Sequence, residues 1–394
     1  MTALVTDGRT PPSRPETSPA GAGTRCVGPI ASGRRRRLAG RLRFVACVAA
    51  AGALIWRALP ILAGSTWGDL VPAARDIHPD WLVALVLIWV AGLLVHTITL
   101  TAALPGLTHR RALTLSLTGS AIANVLPLGG AAGVALNYRM AKRWGHSGAA
   151  IGTYTVITNA WDVFAKFLLP VLTLPAPMVE TSAVNLAVSY AVVGAALALA
   201  TLTGLGLVTL SSPTAAARAG GVADRVLARW LPPGTCRESL VALQADTSQI
   251  VRTSWRRLSI GMLLYTALLF ALLLGCLTAA GAGLSIGAVL AGFTVERLLT
   301  LAGLTPGGAG IVEVGLASTL LTFPGAPVGV ALGVLLYRAL SFGLEIPVGG
   351  IVLVGWLWVQ RRTPSRHQSP TQPATRGATR HGNSGDAECP GVTA

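Results

Sequence analysis

The chain has 394 residues, 52% of them hydrophobic and 12% charged, with a mean hydropathy of +0.62 and a formal net charge of +16. Soluble chains carry about 25% charged residues, so this composition argues against a soluble globular domain and for a polytopic helical membrane protein. The positive charge does not point to nucleic acid, because most basic residues sit at the ends of apolar segments and in the tails, where membrane orientation explains them.

Residues 1–41 are rich in Pro, Gly, Ser, Thr and Arg and are expected to be a disordered basic tail. Arg34 to Arg37, Arg41 and Arg43 abut an apolar segment over 44–62, which reads as a signal-anchor helix with a cytoplasmic N-terminus. A secretory signal peptide is the alternative reading of that segment. Asp69, Asp76 and Asp80 place the next loop outside, and segment 81–103 returns inward to His109, Arg110 and Arg111.

Residues 112–138 are bounded by basic residues on both sides and are too few for two crossings, which need about 40. They read as a re-entrant hairpin with its tip at Pro127 to Gly133. Segments 149–174 and 183–210 then cross outward and back. In 212–257 Arg outnumbers Asp and Glu, so this stretch is predicted to be a cytoplasmic loop. Val222, Val226, Leu227, Trp230 and Leu231 share one helical face, which fits either a helix lying among the headgroups or a solvent-exposed linker helix.

Segment 258–280 crosses outward, and 285–323 holds a second break, either a re-entrant hairpin or two crossings. The last segment, 327–359, carries Pro347 as a possible kink and ends at Arg361 and Arg362, with a disordered tail over 361–394. The expected fold is all-α: a transmembrane domain over 42–360 with six full spans and two broken hairpins. The hairpins enter from opposite sides, so 81–210 and 258–359 form an inverted repeat.

The two breaks are Leu126-Pro-Leu-Gly-Gly-Ala-Ala-Gly133 and Leu304-Thr-Pro-Gly-Gly-Ala-Gly-Ile-Val-Glu313. Non-helical backbone at membrane depth is tolerated only where protein or a wet cavity covers it, and paired breaks point to a transporter's binding site. Asp162, Lys166, Glu296, Arg297, Glu313, Arg338 and Glu345 all fall inside apolar segments. Each would cost about 2.5–3.5 kcal/mol facing lipid at mid-depth. Most of them must therefore pair, line a wet cavity or lie near an interface.

Asp162 and Lys166 are four apart and can form an ion pair or a headgroup site. Arg338 and Glu345 are seven apart on one face; Arg338 can grip a phosphate in a bidentate fork, or serve as partner to Glu313 or Glu296. Gly307, Gly308 and Gly310 can free backbone N–H groups for an anion ahead of a helix, or allow close packing. Gly129, Gly130 and Gly133 have the same two readings, and Arg139 after them can face a lipid phosphate. Asn124 and Asn159 suit interhelical hydrogen bonds. No CxxC, Cys/His cluster, HExxH, Walker A loop or GxSxG is present, so neither a metal nor a cofactor is predicted.

Thr305-Pro-Gly-Gly-Ala-Gly-Ile-Val-Glu313 and Arg338 in Leu335-Leu-Tyr-Arg-Ala-Leu340 resemble the lysylphosphatidylglycerol synthase transmembrane region, a flippase-like family. Asn124 to Pro127, the following glycines, Arg139 and Asp162 resemble its first-half motif, and the resemblance spans about 40–360. It implies binding or translocation of an anionic phospholipid or polyprenyl-linked lipid in the cell membrane. No segment here has the length of the soluble aminoacyl-transferase domain that full-length lysyl-lipid synthases add, so synthase activity is not expected. An intramembrane enzyme using Asp162, Glu296 or Glu313, and a membrane subunit that recruits a separate transferase, are the alternatives.

Overall fold

The computed structural model describes residues 64–126, 129–173, 212–227, 235–301 and 308–362, with a few isolated positions besides. Most of segments 44–62 and 183–210, the tip residue Pro127, Gly307 and the rest of 302–307, and both tails lie outside the described residues, apart from Arg361 and Arg362, which complete the last helix.

The described residues are helical. Helices α1 (Trp67–Arg75) and α2 (Pro79–Ala103) come first, followed by α3 (His109–Val125) and α4 (Gly129–Arg143), the two arms of the first hairpin, and α5 (Gly148–Thr173). Helix α6 (Pro213–Leu227) leads into α7 (Thr235–Ala279). Helices α8 (Ile286–Leu299) and α9 (Ile311–Leu320) form the second hairpin. The last segment is α10 (Pro327–Arg338), a π-turn (Ala339–Gly343) and α11 (Glu345–Arg362).

Starts and stops follow local chemistry. Pro79 opens α2, where its missing N–H costs nothing. Thr108 accepts from the Arg111 N–H at the start of α3, and Ser285 accepts from the Ala288 N–H at the start of α8. On α6, Asp224 accepts from the Arg237 N–H in the first turn of α7, at 3.3 Å.

Among the described residues, four helical stretches are long and apolar enough to cross a membrane: Pro79–Ala103, Gly148–Thr173, Arg237–Ala279 and Pro327–Arg362. They coincide with four of the six predicted spans; the other two lie outside the described residues. By contrast α8 and α9 have 14 and 10 residues, about 21 and 15 Å, against a hydrocarbon core of about 30 Å. Neither helix as described reaches the length of a full crossing.

Two expectations need correction. The segment expected over 258–280 starts earlier as a helix: α7 is one helix of 45 residues, about 67 Å, longer than a bilayer's apolar core, and it runs back into the stretch 212–257. From Thr235 to Ile260 it contains no Gly or Pro to stop it. Helix α6 packs back along it, burying Ala216 and Gly220 and leaving Val222 exposed. The shared face expected through Leu231 falls largely on side chains outside the described residues. The second correction concerns the last segment. Its irregularity is the π-turn over 339–343, not a kink at Pro347, which sits in the first turn of α11. Pro347 offers no N–H to the carbonyl four residues back, at Gly343, where the π-turn ends.

Helix α2 packs along α7, and α11 along α3. The main core joins Leu85 and Trp89 of α2, Leu272 and Leu273 of α7, Phe293 of α8, Leu316 of α9 and Tyr337 of α10. A second cluster holds Leu100, Met140, Tyr154 and Leu258. Near it lies one end of the bundle, where Arg111 sits over Trp144, Arg143 over Trp356 and Arg362 over Trp358. Arg143 also donates to Gln360 at 2.7 Å, tying the end of α4 to the end of α11. At the other end the Ala326 N–H donates to the Ala282 carbonyl, so α10 begins where α7 ends. The first hairpin is rooted at the Arg/Trp end and the second at the opposite end.

Candidate functional site

The breaks of the two hairpins meet. A cavity of about 330 Å³ is lined by Gly129 and Gly130 at the first break and by Gly308 at the second. Ser120, Ala123 and Asn124 of α3, and Tyr265 and Leu269 of α7, form part of its wall. Arg297 and Thr300 close α8 against it, Arg338 closes α10, Ser341 and Phe342 come from the π-turn, and Glu345 opens α11. Its volume is near the lower end of ligand pockets, which run about 300–1,000 Å³.

The backbone around the cavity explains its glycines. A Cβ at Gly133 would meet the Gly119 carbonyl oxygen at 2.8 Å, so this glycine lets α3 and α4 touch. Gly129 packs against the Ala123 backbone in the same way, whereas a Cβ at Gly130 would meet nothing within 4 Å. Gly310 has φ +87°, a left-handed conformation suited to glycine, and it caps α9. Its N–H donates to Glu313 Oε2 at 2.6 Å.

Both arginines at the wall are held by acids. Arg338 Nε donates to Glu313 Oε1 at 2.7 Å, and its guanidinium lies over the Phe342 ring, 5.0 Å from the centroid. Arg297 holds Glu296 through Nε and Nη2, and Nη2 also donates to the Tyr337 hydroxyl at 3.0 Å. Arg297 Nη1 has no hydrogen-bond partner among the described residues. Glu296 and Glu313 are buried behind these guanidiniums and do not line the cavity. Leaving either unpaired would be costly, since removing one partner of a buried pair costs about 3–5 kcal/mol.

The predicted site residues thus separate. Arg338 and Gly308 line the cavity, while Glu313 and Gly310 brace its wall. Glu296 stands behind Arg297, and Gly307 lies outside the described residues. Asp162 and Lys166 of α5 form an i,i+4 ion pair at 2.7 Å and do not line the cavity. Arg139 is on an exposed face of α4, also away from the cavity wall. Asn124 donates to Glu345 Oε2 at 3.4 Å, joining α3 to α11 as an interhelical contact, whereas among the described residues Asn159 bonds within its own helix, to the Thr155 carbonyl.

Sequence reasoning counts Arg297 and Glu345 among the charges inside apolar segments but gives neither a headgroup-binding role. A usable signal existed for Arg297: it and Thr300 are three apart in the last turn before the break, so both face the same way. Tyr265 had no such signal, because one tyrosine in an apolar span reads as packing.

No curated protein matches the chain. The sequence profile described as the lysylphosphatidylglycerol synthase TM region matches residues 43–349, a stretch that takes in both hairpins, the cavity and most of the helices around it, and the chain is therefore a membrane protein belonging to that family.

Proposed function

We propose that this chain is a flippase-like lipid transporter whose cavity takes the phosphate-bearing headgroup of a phospholipid or polyprenyl-linked lipid. The observation that carries the reading is the shared cavity: breaks from two hairpins rooted at opposite ends meet there, with Arg297 and Arg338 at its wall. Guanidinium groups suit phosphate oxygens, and Arg297 keeps an Nη1 donor without a partner among the described residues. The volume fits a headgroup rather than a whole lipid, so the acyl chains would remain in the bilayer.

In this reading 81–210 and 258–359 are inverted halves, and 44–62 and 183–210 complete six spans. The end carrying the Arg and Trp pairs faces the cytoplasm of a cell-membrane protein, and both termini share that side. Asp162 with Lys166, and Arg139, offer polar contacts on the headgroup's path outside the cavity.

The test is leaflet exchange in proteoliposomes carrying fluorescent phosphatidylglycerol, read by bleaching with dithionite. The protein should expose inner-leaflet label that empty liposomes keep protected. Arg297→Lys keeps a cation beside Glu296 but loses the fork, and should slow the exchange. Bleaching no faster or deeper than in empty liposomes would refute the transport reading.

A further inference from the structure

We infer that the cavity binds an anionic headgroup together with one proton, and that Glu345 takes that proton up. This rests on the headgroup reading above and adds what must accompany the lipid.

The argument is one of charge. Arg338 is matched by Glu313 and Arg297 by Glu296, so these four residues cancel. Glu345 also lines the cavity, and it forms no ion pair with another described residue. The Asn124 amide, at 3.4 Å, gives it a hydrogen bond but no charge. With every carboxyl ionised, the site therefore carries one negative charge in excess before any ligand arrives.

An incoming phosphodiester adds a second. Like charges sharing a partly desolvated site disfavour each other's ionised forms. The choice of proton acceptor follows from the bonds already made. A proton on Glu313 would weaken its bonds to Arg338 and the Gly310 N–H, and one on Glu296 would break the fork to Arg297. A proton on Glu345 breaks no ion pair. It also leaves the Asn124 side chain usable, because an amide turned end for end accepts where it had donated.

The other groups around Glu345 do not substitute for it. On α7, Tyr265 presents a phenol to the cavity, and its ring stacks on His96 of α2 at 4.4 Å. His96 bonds to Ser116 at 3.4 Å and does not line the cavity. Tyr337 of α10 receives Arg297, Ser120 and Asn124 of α3 are uncharged, and Asp162 of α5 is matched by Lys166. Headgroup and proton thus favour each other's binding, a reciprocal coupling.

Titration calorimetry of the full chain in detergent with dihexanoyl phosphatidylglycerol, repeated in two buffers of different ionisation enthalpy, counts the protons taken up. About one proton per lipid is expected at the pH where Glu345 is ionised in the free protein. Above that pH the affinity should fall by up to about tenfold per pH unit. Glu345→Gln should bind at least as well, with no proton uptake and a flat pH profile. Binding by wild type without proton uptake overturns the coupling and leaves the headgroup reading standing. Uptake that persists in Glu345→Gln, or loss of binding by that variant, overturns the role given to Glu345. If Glu345→Gln does not fold, Glu345→Asp keeps a carboxyl and must retain the uptake. Absence of binding at every pH would instead overturn the headgroup reading itself, and the coupling with it.

Discussion

Arg338 and Glu313, 25 residues apart in the chain, meet through Nε and Oε1 at 2.7 Å while the other oxygen of the same carboxylate holds the Gly310 N–H at 2.6 Å. One acid thus fixes both a guanidinium at the cavity wall and the backbone turn that starts α9. Glu313→Ala would leave Arg338 without its acid and α9 without its cap. A loss of about 3–5 kcal/mol is expected, the usual cost of breaking a buried pair from one side. Thermal unfolding in detergent measures it. The double variant Glu313→Ala/Arg338→Met should be less destabilised than the sum of the single variants, because it removes the stranded charge as well.

Tyr337 and Arg297 provide a finer contrast. Tyr337→Phe removes one hydroxyl that receives Arg297 Nη2 and leaves the fork to Glu296 in place. A cost of about 0.5–1.5 kcal/mol is expected from unfolding measurements, the net worth of a typical hydrogen bond. Lipid exchange should slow as well, since Arg297 becomes freer to leave its position.

Gly130 and Gly133 sit on the same helix and predict opposite behaviour. Gly133→Ala forces a methyl against the Gly119 carbonyl and should cost about 1–3 kcal/mol, the range for overpacking. Gly130→Ala meets no neighbouring atom and should leave stability within about 0.5 kcal/mol. Gly130→Phe places a ring into the cavity, and exchange should then drop while the unfolding temperature holds.

In the first turn of α1 the exposed Asp69 accepts from both the N–H and the hydroxyl of Thr66, and these bonds lower its pKa below the ordinary 3.8. A depressed folded value means the stabilisation is complete above the ordinary pKa and is lost as pH falls through the lower folded one. Protection against hydrogen exchange at the start of α1, measured against the intrinsic rate at each pH, should therefore fall only in strong acid. Asp69→Asn should exchange faster than wild type at neutral pH and converge with it once the acid is protonated.

Much of this architecture was legible in the sequence, for physical reasons. Apolar runs of the right length marked the spans, and Gly-rich breaks marked the two tips, because neither lipid nor helix tolerates such backbone unprotected. What stayed hidden was direction and continuity. Glu296 and Arg297 are neighbours, and periodicity alone did not say that the arginine would wall the cavity while the acid stood behind it. Charges in 235–257 end the apolar run but not the helix, which is continuous from Thr235 to Ala279. The π-turn falls between Arg338 and Glu345 and changes the phase between them, yet both still reach the cavity.

The central claim is that a lipid headgroup enters the cavity between the two breaks. Its most direct test is a single cysteine at Gly130, in a background with the native cysteines replaced, reacted with a charged maleimide in phosphatidylcholine nanodiscs. Adding phosphatidylglycerol should slow the reaction in a dose-dependent way, and Arg297→Lys should relieve that protection. A labelling rate that does not change with phosphatidylglycerol would contradict the account.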